Sequence, residues 1–246
     1  MKAKDRIGKP PIASILSFQL RIPGSDAGAV PRNAVYLFWR IDMFPYLIQE
    51  QSLTFYKFVI DMSDSGYKIF DQEGLYFITF SVIEWVDVFT RAAFADIVVE
   101  SLNFCSRNKG LAVHAWVLMP NHFHAIFSAK DGYQLSGIIR DFKRHTAKKI
   151  LKDILTTNSE SRSRWMLWLF KSAGTSNSRN EEFQFWQQDN HPVALGNSEM
   201  IKQRLKYLHE NLVRAGLVWE NWHYRYSSAI DYENDQKGLV DIEFLY

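Results

Sequence analysis

Between residues 75 and 82 the chain is rich in aromatic and β-branched side chains, the composition of a β-strand. A helical period follows. Across 92–108, Phe94, Ile97, Val98, Leu102 and Cys105 recur at helical spacing, and Lys109-Gly110 supplies the stop. The runs 111–118 and 122–128 are parted by Met119-Pro120-Asn121, a turn placed where two strands reverse into a hairpin. Helical spacing returns over 135–155 with Ile138, Ile139, Phe142, Ile150, Leu151 and Ile154. A final helix is capped by Asn197 or Ser198, buries Ile201, Leu205, Leu208 and Leu212 at i, i+4, i+7 and i+11, and ends at Gly216. The order strand, helix, strand, strand, helix, with a last helix appended, predicts an α+β fold: a ferredoxin-like antiparallel sheet with helices packed on one face.

Two regions break the pattern. Residues 1–61 hold five of the seven prolines, at 10, 11, 23, 31 and 45, and few periodic segments. They are expected to form an N-terminal extension outside a domain spanning 62–246, with Met62 as a candidate start. The competing reading is an ordered arm that packs Tyr36, Phe38, Trp39, Phe44 and Tyr46 on the domain. Ser and Asn crowd 156–180 around an aromatic group, which suggests a surface insertion at about 156–182. No internal repeat is present.

Composition narrows the classes. With 246 residues, 47% hydrophobic and 23% charged, the chain can bury a core, which excludes a disordered or collagen-like protein. A net charge of +2 carries no inference about nucleic acid, so local charge must be read instead. The single Cys105 excludes an intrachain disulfide and a Cys-based zinc site, and a reducing, cytoplasmic setting is expected. Apolar runs near the N-terminus are cut by Lys9, Arg21, Arg40, Asp42 and Pro45, too soon for a membrane span.

Chemistry concentrates in two places. His122 and His124 flank Phe123 on a predicted strand, so both imidazoles leave one face while Phe123 takes the other. Two neutral ring nitrogens can serve a divalent metal and leave positions for a third ligand and a substrate oxygen, although such pairs are also met as packed or surface histidines. Beside the leucine stripe of the last helix, a second face carries Met200, Arg204, Tyr207 and Asn211, with Tyr207 and Asn211 neighbours at i, i+4. The plainer reading is a packing tyrosine and a C-terminal polar residue. His114 on the neighbouring strand is expected to pack, and His209 to support the site or face solvent.

Met119-Pro120-Asn121-His122-Phe123-His124 resembles the histidine-hydrophobic-histidine (HUH) motif of single-strand transposases. The run from Tyr207 through Leu208-His209-Glu210-Asn211-Leu212-Val213-Arg214-Ala215-Gly216-Leu217 to Val218 is similar to the tyrosine helix of the REP-associated tyrosine transposases. Phe185-Trp186-Gln187 and Tyr226-Ser227-Ser228-Ala229 match further landmarks, and the resemblance covers most of 67–232. Relatives commonly have proline where Leu212 stands, and related insertion-sequence enzymes have glutamine where Asn211 stands. Asn211 keeps an amide oxygen.

The resemblance implies a metal-dependent transposase that cuts and rejoins single-stranded DNA near hairpin repeats through a 5′-phosphotyrosine. Tyr207 would be the nucleophile in preference to Tyr133, Tyr224 and Tyr226. His122, His124 and Asn211 would hold one Mg²⁺ or Mn²⁺ ion. The partner would be hairpin-bearing single-stranded DNA with no membrane involved, acted on by a monomer or a homodimer. A catalytically inactive or domesticated DNA-binding protein of the same fold is the first alternative; a replication initiator or relaxase, which lacks the Tyr207 helix signature, is the second.

Residues 133–152 hold Arg140, Lys143, Arg144, Lys148, Lys149 and Lys152 against Asp141 and form a candidate phosphate-binding face, to which Arg204 and Arg214 are added. A solvated helix face is the alternative. Trp165, Trp168, Phe170, Phe183, Phe185 and Trp186 can stack unpaired bases or fill the core.

Overall fold

The computed structural model describes residues 69–156, 160–176, 182–188, 190–234 and 236–245. The extension expected over 1–61, and Met62 itself, lie outside these residues. Four strands form one antiparallel sheet: β1 (Tyr76–Ser81), β2 (Leu111–Leu118), β3 (His122–Ala129) and the two-residue β4 (Val193–Ala194). Their order is β2-β3-β1-β4, the ferredoxin-like arrangement. Among the described residues five α-helices accompany it: α1 (Ala92–Asn108), α2 (Leu135–Thr156), α3 (Ser163–Thr175), α4 (Ser198–Arg214) and the short α5 (Ala229–Glu233).

Strand alternation divides the sheet into two unlike faces. On one, Ile78, Phe80, Trp116, Phe123 and Phe127 are fully buried under α1 and α2. Both helices turn their apolar stripe inward, Phe94, Ile97, Val98 and Leu102 from α1 and Ile138, Ile139, Phe142 and Ile150 from α2. A bulge at His114 keeps β2 in phase with this core. By adding one residue between Val113 and Ala115 it lets Leu111 and Val113 share a face with Trp116 and Leu118.

On the opposite face, Phe77, Ala115, Val117 and Ile126 pack against Leu205, Leu208 and Leu212 of α4. The helices therefore occupy both faces, where the sequence pattern placed them on one. The physical reason is that the second face of the sheet is itself apolar at these four positions and needs cover. Asn197 caps α4 by accepting the Met200 N–H at 2.9 Å. Gly216, at φ 68°, ends it in a left-handed turn in which Leu217 N–H reaches the Leu212 carbonyl and Gly216 N–H that of Val213.

The stretch expected to be a surface insertion is anchored in the core. Met166 and Phe170 of α3 are buried with Phe185 and Trp186, and the Trp186 indole donates to Thr146 Oγ1 at 3.0 Å. Before α3, the buried carboxylate of Glu160 takes Arg162 and Arg91, and Arg162 also reaches Asp87. Hydrogen bonds from Arg162 hold the Glu160 carboxyl down to about 2.

Irregular chain covers the outer side of β2 and the part of β1 that extends past β4. Thr79 N–H donates to the Asn190 carbonyl and Gln187 N–H to that of Ser81, which closes the outer side of β1. Along β2, Leu118 N–H donates to Tyr226, Ser228 N–H to Trp116 and Glu243 N–H to Val113.

Candidate functional site

The histidines sit at the start of β3 because the hairpin turn ends at Asn121, and the antiparallel register sets Ser81 opposite His122 and Thr79 opposite His124. With Phe123 facing the α1/α2 core, both imidazoles leave the α4 face, their ring centroids 4.7 Å apart and edge to face. Each has its Nδ1 engaged. His122 Nδ1 lies 2.7 Å from Asn121 Oδ1, an acceptor, so it carries the proton; His124 Nδ1 shares a hydrogen bond with Thr79 Oγ1 at 2.7 Å. Both Nε2 atoms are left for a ligand, the usual arrangement when a second group orients a metal-binding imidazole.

The environment keeps the pair neutral. Phe77 stacks on the His124 ring at 5.4 Å and Trp85 meets the His122 ring edge-on at 5.5 Å. Burial pushes His122 down to about 4. His124 is driven well below the usual imidazole range by burial, and further by His122 and the Arg204 guanidinium. Neutral imidazole is the form that coordinates a metal ion.

The leucine stripe that seats α4 on this face carries Tyr207 with it. The Tyr207 ring lies 5.7 Å from that of His124 and 6.0 Å from Phe77. Arg204, one turn earlier, rests on the Phe77 ring at 5.2 Å, and Arg214 lies over the Tyr207 ring at 5.5 Å while pairing with Glu210. His122, His124, Tyr207 and Arg204 are thus brought together within one chain. Asn211 follows Tyr207 by one turn; its amide nitrogen is buried and makes no hydrogen bond, so it can rotate to present its oxygen without breaking one.

The other tyrosines are committed elsewhere. Tyr224 donates to the Leu118 carbonyl at 3.0 Å, and burial pushes its phenol up to about 12. Tyr226 donates to Asp96 at 3.0 Å, with burial as the first cause of its raised phenol. Tyr133 stands exposed beside Gly110. His114 bonds Ser128 and the Glu243 carbonyl, as expected of a packing residue. His209 is buried, 3.0 Å from Ser228 Oγ, and does not face solvent.

The basic run on α2 lies across the sheet from the histidines, since α2 covers the Phe123 face. Its members are not equivalent. Lys143 turns inward, donating to the Gln187 carbonyl at 2.7 Å and Asn190 Oδ1 at 2.5 Å, and Lys149 pairs with Glu100 of α1. Arg140 folds back on Asp141, whereas Arg144, Lys148 and Lys152 are exposed. Of the aromatic group, Phe170, Phe185 and Trp186 are core; Trp165 and Trp168 stand out on α3.

Sequence reasoning overlooked Thr79, Asn121 and Trp85. Thr79 and Asn121 follow from strand register once β1 is set against β3. Trp85 follows from no periodicity. It lies in the Ile83–Trp85 turn, where Glu84 (φ 52°) and Trp85 (φ 54°) are both left-handed and Val86 N–H closes back on the Ile83 carbonyl. Such backbone costs about 1–2 kcal/mol per non-glycine residue.

Among the described residues no group of three His, Cys, Asp or Glu side chains could hold a metal ion. The donors that the described residues bring together there are the two imidazole nitrogens of His122 and His124, with the remaining positions open. That set fits a divalent ion with open positions.

Residues 74–179, which include both histidines and stop short of α4, match the family described as IS200-like transposase. No curated protein matches the chain. Among solved structures, a REP-associated tyrosine transposase bound to a REP hairpin aligns with 73% of this chain and 92% of its own, at 14% identity and a TM-score of 0.50. A transposase candidate from Deinococcus radiodurans aligns with 59% of this chain and 93% of its own, at 16% identity and a TM-score of 0.36. The histidine strand lies inside the segment similar to the IS200-like transposases, and the α+β fold resembles that of the REP-associated tyrosine transposase.

Proposed function

We propose that this protein is a transposase that cuts and rejoins single-stranded DNA beside hairpin repeats, with Tyr207 as the attacking group. The observation that carries the reading is the Tyr207 ring 5.7 Å from His124, on the sheet face that also bears His122. The phenolic oxygen attacks the scissile phosphorus, the bond from phosphorus to the 3′ oxygen breaks, and the phenolic proton is lost as the 3′-hydroxyl gains one. The 5′-phosphotyrosine keeps a phosphodiester bond, so attack by a 3′-hydroxyl rejoins DNA with no nucleotide hydrolysis.

His122, His124 and Asn211 would hold one Mg²⁺ or Mn²⁺, which when bound polarises the phosphate and offsets its charge. The chain's own contribution is placement. Thr79 and Asn121 fix the imidazoles, and Arg204 and Arg214 bring positive charge to the side of Tyr207 where an anionic phosphate must come. Because the histidines and Tyr207 meet within one chain, the site needs no residue from a second copy. The hairpin is taken from the structural relative, whose structure holds one. Arg144 and Lys148 supply phosphate contacts away from the reacting centre. The reaction takes place in the cytoplasm, consistent with a free, buried Cys105.

The test is a covalent adduct. Hairpin oligonucleotides labelled at the 3′ end are incubated with protein and Mn²⁺ and resolved on a denaturing gel, where the label stays on the protein. Tyr207→Phe should abolish the adduct and keep hairpin affinity within about threefold, because binding does not depend on the attacking atom. An adduct formed by Tyr207→Phe would assign the nucleophile elsewhere. Hairpin binding with no adduct in the unmodified protein would favour a DNA-binding relative that has lost turnover.

A further inference from the structure

Trp85 sits in a tight turn beside the histidines. Val82 and Val86 on either side are buried, and Ile83 is tied to the Phe185 carbonyl, so the turn is firmly held at both ends. Its two central residues are left-handed, a conformation that glycine or asparagine takes most easily. The ring itself is 44% exposed, yet it stands edge-on to His122, the more open of the two histidines. A strained backbone that presents an exposed aromatic face beside a reactive site points to a ligand for that face.

We propose that the Trp85 ring stacks an unpaired nucleobase adjoining the phosphate that enters the histidine pair, a subsite that rests on the reading of this site as a single-strand DNA nuclease. A flat, uncharged ring suits any base, because every base has a π-face. Its position also resolves the separation between the histidines and the exposed basic residues. The turn follows directly on β1, at the end of the sheet where β3 begins, and α3, which neighbours α2, packs against it. A strand leaving the histidines over Trp85 rounds the sheet end toward Arg144 and Lys148.

The test uses binding, so it stands apart from turnover. In full-length Tyr207→Phe protein, affinity is measured for hairpin oligonucleotides in which an abasic lesion is walked along the single-stranded arm. One position should lower affinity by about five- to a hundredfold. In the Tyr207→Phe protein that also carries Trp85→Asn, a replacement compatible with the left-handed turn, the same lesion should cost less than about twofold, and Trp85→Phe should restore most of the sensitivity. Trp168→Ala removes a more exposed ring, at 64%, and should leave the lesion profile intact. A parent profile with no sensitive position, or one unchanged by Trp85→Asn, overturns the subsite. A profile that collapses with Trp85→Asn while the unmodified protein forms no adduct keeps the subsite and overturns the nuclease reading instead.

Discussion

The two faces of the sheet are built from the same strands and do opposite things. Under α1 and α2, Phe80, Trp116, Phe123 and Phe127 are sealed among other apolar side chains. Under α4, the corresponding positions hold Thr79, His122 and His124 at one end and an apolar patch of Phe77, Ala115 and Ile126 at the other. A two-residue period lets neighbours in sequence serve unrelated ends. Phe123 stabilises the fold while the residues on either side of it face the site. The lesson is that α4 needs only half a face for anchorage, which leaves the other half for polar groups.

The sharpest way to break this contrast is to truncate one side chain from each face. Phe123→Ala should destabilise the protein by about 3–5 kcal/mol, read by urea unfolding, because it empties a fully buried site among large rings. His124→Ala should cost only about 1–2 kcal/mol, for its burial and its bond to Thr79, and should abolish the adduct. Equal losses of stability from the two would show that the α4 face is as structural as the other.

Acid separates the faces next. The histidines of the α4 side, His122 and His209 at about 4 and His124 also lowered, are neutral when folded but protonated when unfolded between pH 4 and about 6.5. The unfolded chain then binds more protons, so stability should fall as pH drops through that window, by on the order of 2 kcal/mol per buried ring. His209→Gln should flatten the curve of unfolding free energy against pH. Glu160 acts lower: its depressed carboxyl contributes stability that is lost only as pH falls from 4.5 toward 2.

Smaller effects are expected from charge. Arg144 and Lys148 changed together to Ala should weaken binding to all single strands alike and lower the log-log salt slope by roughly 0.7 for each phosphate that is no longer neutralised. Affinity unchanged at every salt concentration would make them a solvated face. Smallest of all should be removal of residues 1–61: a chain starting at Met62 should unfold cooperatively and keep hairpin affinity. A broad, non-cooperative melt would assign those residues to the fold.

Period alone made most of the fold legible. The strands β1, β2 and β3 and the helices α1, α2 and α4 lie within a residue or two of their expected limits, because each is a short apolar run bounded by turns or a striped helix, whereas β4 was not expected. The stripe on α4 showed which residues bury but not which sheet face receives them, since a 3.6-residue period carries no information about its partner. α3 was masked by the Ser and Asn around it, although Met166 and Phe170 anchor it, four residues apart. At the site, the His-x-His spacing announced a shared face, whereas Thr79 becomes visible only through strand register. Trp85 obeys no period. Within the basic run, Lys143 could not be told from Arg144, because direction at the end of a long side chain is decided by acceptors 44 and 47 residues away.

The covered edges bear on how copies of this protein can meet. Open strand edges invite another chain to add a strand, with main-chain pairing as the attraction. Here the outward-facing groups of β2 are spent on Tyr226, Ser228 and Glu243, and those of β1 on 185–190. A second copy could add a strand along β2 only by first peeling away the segment after α4, which also supplies Ser228 to His209 and Tyr232 to the His114 carbonyl. Self-association by a strand added along β2 is therefore blocked. Shortening the chain before Tyr226 would convert this sealed edge into an aggregation surface.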